Sequence, residues 1–317
     1  MKTTKITLSL AILMVAGALT FTSCKKKDKT VAQEPDNEQT SATDNNLAES
    51  AASDIESIGS QASENGSILF KSADATNSEL MLLSNCATVT SNAAGTVVAT
   101  SYTIDFGTTG CVGNDGRTRV GKLFYDFSQS AVGAKRYRNP GFKMIVTSAN
   151  YAVDANTITI NNKTVTNTTP IGIGTGTNPG TNLTWSIVSS ITVAKSGGGT
   201  VTWSCNRTKE LTNTSDPNCY KGQLQAIDWT KAIVKLNGSA SGVNGKGENY
   251  TAVATDLVRD FTCTPDPLKV HRHPFISGKI AYTPGSRATR TINYGTGTCD
   301  FNATVEINGQ TWAITLN

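Results

Sequence analysis

The chain is poor in charge, in aromatic residues and above all in histidine. Charged residues make up 16% of its 317 residues, aromatics 7%, and His271 and His273 are its two imidazoles. A hydrolase triad would have to use one of these histidines, and neither a G-x-S-x-G elbow nor an H-E-x-x-H helix accompanies them. On an extended segment the two would point the same way, as in a metal clip. The nearest further ligands in the sequence are Asp266 and Cys263, and Cys263 is expected to be bonded, so no metal is assigned. C-x-x-C pairs are absent, which argues against zinc and thioredoxin-like chemistry. Gly172-Ile173-Gly174-Thr175-Gly176 lacks phosphate-loop spacing, and Cys111-Val112-Gly113-Asn114-Asp115-Gly116 lacks the acidic alternation and closing Glu of a calcium loop. No cofactor is implied. Nor is there a basic surplus: without Lys2 and Lys5 the 28 basic residues become 26, against 24 acidic ones, so no nucleic-acid partner is expected.

What is present begins with an export signal. Lys2 and Lys5 open it, and an apolar stretch from Ile6 to about Phe21 follows. That stretch is too short for a comfortable membrane span, which needs about 20 apolar residues. It closes in Phe21-Thr22-Ser23-Cys24, which resembles a lipobox, with Phe21 standing where Leu is usual. Residues 1–23 therefore read as a lipoprotein signal peptide, and Cys24 as the lipidated residue. Acyl chains there would bury about 0.8 kcal/mol per methylene and hold the chain to a membrane. Outer-membrane attachment is expected, with the periplasmic or cell-surface face left open.

Six further cysteines follow: Cys86, Cys111, Cys205, Cys219, Cys263 and Cys299. An even number in an exported chain favours disulfides. Sequential pairing is expected, Cys86–Cys111, Cys205–Cys219 and Cys263–Cys299, since each separation suits a hairpin or local loop.

Residues 24–45 form the lipidated cysteine and a polar, disordered tether. Residues 46–83 comprise a short helix and a lead-in. Leu47, Ala51, Ile55 and Ile58 recur at helical spacing, with Glu49 and Glu56 on the other side. From residue 84 to 317 the pattern is of strands, at 102–106, 122–127, 142–146, 157–160, 184–193, 200–203, 232–236, 250–258 and 277–282. Turn signals at Asn114-Asp115-Gly116, Ser196–Gly199 and Asn244-Gly245 break the series. The segment Thr168–Asn182 is a candidate separator of two similar subdomains.

The last hairpin can be laid out residue by residue. Asn308-Gly309 suits a type I′ turn, in which both residues take positive φ. Ile307 then faces Gln310, Val305 faces Trp312, Ala303 faces Ile314 and Phe301 faces Leu316, all on one face. That register puts Trp312 in the core. Trp185, Trp203 and Trp229 are also expected in the core, Trp185 and Trp203 in one cluster.

Thr103-Ile104-Asp105-Phe106-Gly107-Thr108-Thr109-Gly110-Cys111 is echoed by Thr291-Ile292-Asn293-Tyr294-Gly295-Thr296-Gly297-Thr298-Cys299, as two copies of a hairpin-plus-disulfide unit. With Cys86-Ala87-Thr88-Val89-Thr90, Cys111-x-Gly-Asn-Asp-Gly-Arg117-x-Arg119-x-Gly121 and Tyr294-Gly-x-Gly-x-Cys299-Asp300, these motifs are similar to uncharacterised β-rich lipoproteins of Bacteroidetes type. The resemblance runs from about Cys86 to the C-terminus. It implies an envelope location and a β-rich fold, and no reaction.

The fold expected is all-β: an antiparallel meander forming a sandwich or partly open barrel, with a short N-terminal helix and disulfide-closed loops. The function expected is a membrane-anchored envelope or surface lipoprotein whose non-catalytic β domain binds or braces, with a glycan or envelope component as partner. Lys135, Arg136, Tyr137 and Arg138 form a basic and aromatic cluster that could meet such a ligand. The alternative is a carbohydrate-active or other hydrolytic enzyme with a carboxylate pair, drawn from Asp105, Asp126, Glu210, Asp228 or Glu306.

Overall fold

The structure, a computed structural model, describes residues 40–65, 86–92, 99–113, 115–170, 182–265 and 273–315. The signal peptide, Cys24, His271, Leu316 and most of the Gly-Thr segment at 168–182 lie outside these residues.

One helix, α1 (Thr40–Asn65), precedes β1 (Thr88–Ser91), β2 (Ser101–Asp105), β3 (Cys111–Val112), β4 (Thr118–Asp126), β5 (Lys143–Val153), β6 (Asn156–Asn167) and β7 (Leu183–Ala194). Then come β8 (Thr200–Leu211), β9 (Ile233–Val243), β10 (Asn249–Asp260), β11 (Phe275–Pro284), β12 (Arg290–Thr296), β13 (Asn302–Ile307) and β14 (Gln310–Thr315). All belong to one open antiparallel sheet of 14 strands, ordered as in the sequence, with β3 pairing with β4 beside β2. β6 and β7 are hydrogen-bonded neighbours from Thr157↔Ala194 to Asn167↔Trp185, so the sheet runs unbroken past the 168–182 segment.

The strands are longer than their apolar runs because polar residues continue them. β8 extends from Val201 and Trp203 through Cys205, Arg207 and Lys209, and Val201, Trp203, Cys205 and Arg207 are buried on one face while Thr202, Ser204, Asn206 and Thr208 are exposed on the other. Period-2 alternation thus holds even where the inward residue is charged.

The sheet is curled around α1. Side chains from β4, β5, β6, β8 and β11 all reach the helix. Laid flat, the eight strands from β4 to β11 would span about 34 Å at about 4.8 Å per interval. A helix is only about 10 Å across, so the sheet must bend to touch it from both sides. Bulges supply part of the bend. At the β4–β5 bulge Gly121 has φ +79°, and a Cβ there would lie 2.1 Å from the Asn150 carbonyl oxygen. At the β10 irregularity Gly278 takes φ +94°, with the Asp256 carbonyl oxygen 2.2 Å from where its Cβ would be.

α1 is longer than its apolar stripe, and almost its whole circumference is covered. Thr43, Asn46, Ser50 and Ser53 are exposed among residues 40–64, whereas Asp54, Glu56 and Gln61 are buried along with Ala48, Ile55 and Ile58. The expected outer side at Glu56 is therefore an inner one.

The last hairpin has the expected register, Ile307↔Gln310, Val305↔Trp312 and Ala303↔Ile314, with φ +53° at Asn308 and +75° at Gly309. Ala303 is buried, but Trp312 is 47% exposed. Its side faces the right way, and Ile314 two residues on packs against the core, yet β14 is the sheet's edge strand and leaves the larger indole partly uncovered. Trp185, Trp203 and Trp229 are buried. Trp185 and Trp203 belong to one hydrophobic core, on neighbouring strands, although Trp203 pairs with Ile191, six residues along β7 from Trp185.

Cys86–Cys111 and Cys263–Cys299 are disulfides, each with Cα atoms 5.5 Å apart. Cys205 and Cys219 are free and buried. Cys205 sits in the middle of β8, six residues before its end, or about 20 Å at strand rise. Cys219 lies past that end, its thiol 3.6 Å from Asn213. A bridge needs Cα atoms within about 7 Å, and the extended strand between them forbids it. The two echoed segments do share a turn. Asp105 accepts a hydrogen bond from the Gly107 amide, and Asn293 does the same for Gly295.

Candidate functional site

The concave side of the sheet is where a half-open barrel would hold a ligand, and α1 occupies it. The helix carries five acidic residues and no basic one. Asp44 pairs with Lys195 at 2.8 Å, Glu49 with Arg207 at 3.1 Å, and Asp54 with Arg119 at 2.5 Å. Glu56 lies 3.6 Å from Lys163 and 3.5 Å from Lys209, and Glu64 pairs with Arg138. The ladder runs the length of the helix. Burying charges costs several kcal/mol per ion, and mutual attraction recovers that only with good partners. Such a ladder therefore fixes the depth and rotation of the helix more than it adds stability.

Arg119 is the most enclosed of these bases. Its Nε and one terminal nitrogen grip both oxygens of Asp54, while its terminal nitrogens also reach Asp115 at 3.0 and 2.6 Å. Burial alone would weaken the guanidinium, but Asp115 and Asp54 outweigh it and hold it firmly protonated. For Asp115, burial raises the carboxyl pKa and the Arg119 contacts more than reverse this, leaving it lowered. The Tyr151 hydroxyl donates to Asp54 at 3.4 Å. Burial pushes both Tyr151 and Tyr125 well up, so their hydroxyls act as fixed donors.

At Glu56, burial again pushes the carboxyl up, and Lys209, Lys163 and the Tyr137 hydroxyl together bring it below its ordinary value. Lys209 also faces a cluster of rings, its Nζ 4.6 Å from the centre of Trp229 and 5.6 Å from that of Tyr137. Tyr137 stacks on Trp185 with centroids 4.9 Å apart. A desolvated ammonium over aromatic faces is held by their quadrupoles.

The segment Lys135–Arg138 is built into this interior. Tyr137 and Arg138 are buried, Arg136 is half-buried and Lys135 is exposed. Arg136 donates to the Ser63 carbonyl at 2.6 Å, the Tyr137 amide donates to the Ser63 hydroxyl, and the Arg138 amide donates to Glu64. A cation at the last carbonyls of a helix opposes their partial negative charge. Of the residues chosen from sequence as ligand contacts, Arg136, Tyr137 and Arg138 thus seat the helix C-terminus, while Lys135 is exposed.

The N-terminal half is held by polar residues that pattern reading did not single out. Trp203 donates to Asn45 at 2.9 Å, Tyr282 donates to Asn46 at 2.8 Å, and the Gly245 amide donates to Asp44 at 2.6 Å. The signal that could have found the seat was charge: acids without a base at 40–65, against inward-facing bases in strands.

The five carboxylates weighed for hydrolysis do not converge. Asp105 pairs with Lys122 and Glu210 with Lys235, Asp126 caps the Ser128 amide, Asp228 caps the turn at Thr230, and Glu306 is exposed on β13. His273 contacts the Cys263 carbonyl at 3.0 Å through Nδ1. Among the described residues no group of three or more His, Cys, Asp or Glu could hold a metal ion. A recess between α1 and β4–β7, lined by Leu47, Ala51, Arg117, Val153, Ile158 and Val193, holds about 40 Å³. Ligand pockets are usually several hundred Å³. Among the described residues no helix is long and apolar enough to cross a membrane.

What faces outward instead is mostly small and polar, with Phe124, Val188 and Val253 exposed among the polar side chains. Across the middle strands Asn162, Ser190, Ser204, Ser241, Thr251 and Thr283 stand side by side in register. No protein-family model matches the chain, and neither does any characterised protein or solved structure.

Proposed function

We propose that the protein is an envelope or surface lipoprotein of the outer membrane, anchored through lipid on Cys24, whose β domain binds or braces without catalysis. The observation that carries this reading is the filled trough. The one concave face of the sheet is occupied along its length by the chain's own helix, seated by ion pairs from Asp44 to Glu64. An anchored protein has a use for that arrangement. The tether leads into α1, so a pull on the anchor is borne by a helix locked across the sheet instead of by a frayed terminus. The likeness of the Cys86–Asp300 motifs to β-rich lipoproteins of Bacteroidetes type supports the same location. Any partner then meets the outer face, whose hydroxyls and amides suit a glycan or another uncharged envelope polymer.

Two measurements test the reading. Metabolic labelling with radioactive palmitate should mark the wild-type chain and not Cys24→Ala; labelling of both, or of neither, overturns the anchor. The full chain should then be retained on at least one envelope or host glycan in an array. Retention on none removes glycan binding and leaves bracing.

A further inference from the structure

The two edges of the sheet differ. β1 at one edge has four residues, and its end is tied by Asn92, whose side chain accepts the Thr100 and Ser101 amides. β14 at the other has six residues, with neither a charge nor a proline among them. Its residues are exposed apart from the half-buried Ile314, and Trp312 shows 47% of its surface. Among the described strands, β13 is its one neighbour. Edge strands are usually made short, charged, bulged or covered, because an open row of backbone groups recruits another strand. Among the described residues β14 has none of these protections.

Its backbone shows which strand would fit. Closure of the hairpin at Ile307↔Gln310 makes Gln310, Trp312 and Ile314 the residues whose backbone groups bond to β13. The amides and carbonyls of Thr311, Ala313 and Thr315 therefore point out of the free edge. These three are symmetric about Ala313. We propose that β14 pairs antiparallel with β14 of a second copy, about a two-fold axis at Ala313. Ala313 then exchanges two hydrogen bonds with Ala313 of the second copy, and Thr311 does so with Thr315 in each direction. The register sets Trp312 beside Ile314 twice, in the close-spaced non-hydrogen-bonded pairs of the inner face, and so covers the exposed indole. An isologous contact of this kind closes as a dimer and cannot propagate.

Single cysteines test both the pairing and its register. In purified full-length protein under mild oxidation, Ala313→Cys should run at twice the monomer mass on a non-reducing gel, because two Cα atoms facing across the ladder are about 5.5 Å apart. Thr311→Cys should stay monomeric like the parent chain, and Thr311→Cys/Thr315→Cys should cross-link. Cross-linking of Thr311→Cys alone, or none in Ala313→Cys, overturns the register. All three positions are exposed, so the variants retain the fold. Sedimentation of the unmodified chain at the monomer mass would overturn the pairing itself.

Discussion

Tyr125 crosses α1 at Gly59. Its Cε1 lies 2.4 Å from where a Cβ on Gly59 would stand, and its hydroxyl donates at 2.8 Å to the Ile55 carbonyl, one turn earlier. The ring can lie this close because the helix has no side chain there. On the other flank the Met144 sulfur is 2.5 Å from the same point.

Gly59→Ala is therefore expected to reverse the usual helix rule. In an exposed helix the change would add about 1 kcal/mol of stability. Here the methyl must displace a buried ring and a sulfur, and overpacking of this kind costs about 1–3 kcal/mol. Urea unfolding should show a lower midpoint for the variant; a higher one would mean that the ring moves freely.

Asp54→Asn should destabilise the protein by about 3 kcal/mol, since it leaves Arg119 buried with Asp115 as its remaining carboxylate. Lys122→Ala, at an exposed pair with Asp105, should change stability by less than about 0.5 kcal/mol. Equal effects in the same denaturation assay would contradict the central place given to Arg119.

Acid should loosen the helix. The Glu56 carboxyl is lowered in the folded chain from an ordinary value of 4.5, and Asp115 from 3.8. As pH falls the unfolded chain takes up these protons first. The stability they contribute is thus complete above about pH 4.5 and disappears as pH drops through the lower folded values. Glu56→Gln should be less stable at neutral pH and show a shallower loss as pH falls below about 4.5. Parallel curves for the two proteins would remove Glu56 from this account.

Cys205 and Cys219 should be unreactive thiols. Burial pushes Cys205 up to about 11 and Cys219 up to about 12, and the thiolate is the reacting form. Iodoacetamide at pH 8 should leave both unmodified in the folded protein and alkylate both in denaturant, as peptide mass spectrometry would show. A Cys205–Cys219 disulfide peptide in the same digest would refute the assignment of both as free.

Local chemistry made much of this fold legible from sequence. Asn308-Gly309 dictates its turn and so the register of β13 with β14, because two consecutive positive φ values leave little choice. Runs rich in β-branched and aromatic residues located the β4–β11 strands, and loop-length separations picked out the Cys86–Cys111 and Cys263–Cys299 disulfides. Cys205 and Cys219 are as close in sequence and yet unbridged, since distance along the chain does not reveal that Cys205 stands buried in mid-strand.

Burial was what tertiary structure alone decided. Trp312 is on the core face of its strand but at the sheet's edge, where the core reaches Ile314 and leaves the indole 47% exposed. Glu56, Arg119, Lys163 and Arg207 look like surface residues one at a time, because a lone charge inside a protein is too costly to assume. They are buried since each finds an opposite charge on an element distant in the sequence, Arg119 meeting Asp54 from 65 residues away. Local pattern fixes how a segment folds and which way its side chains point. Which charges meet, and which faces are covered, depends on the curl of the whole sheet around α1.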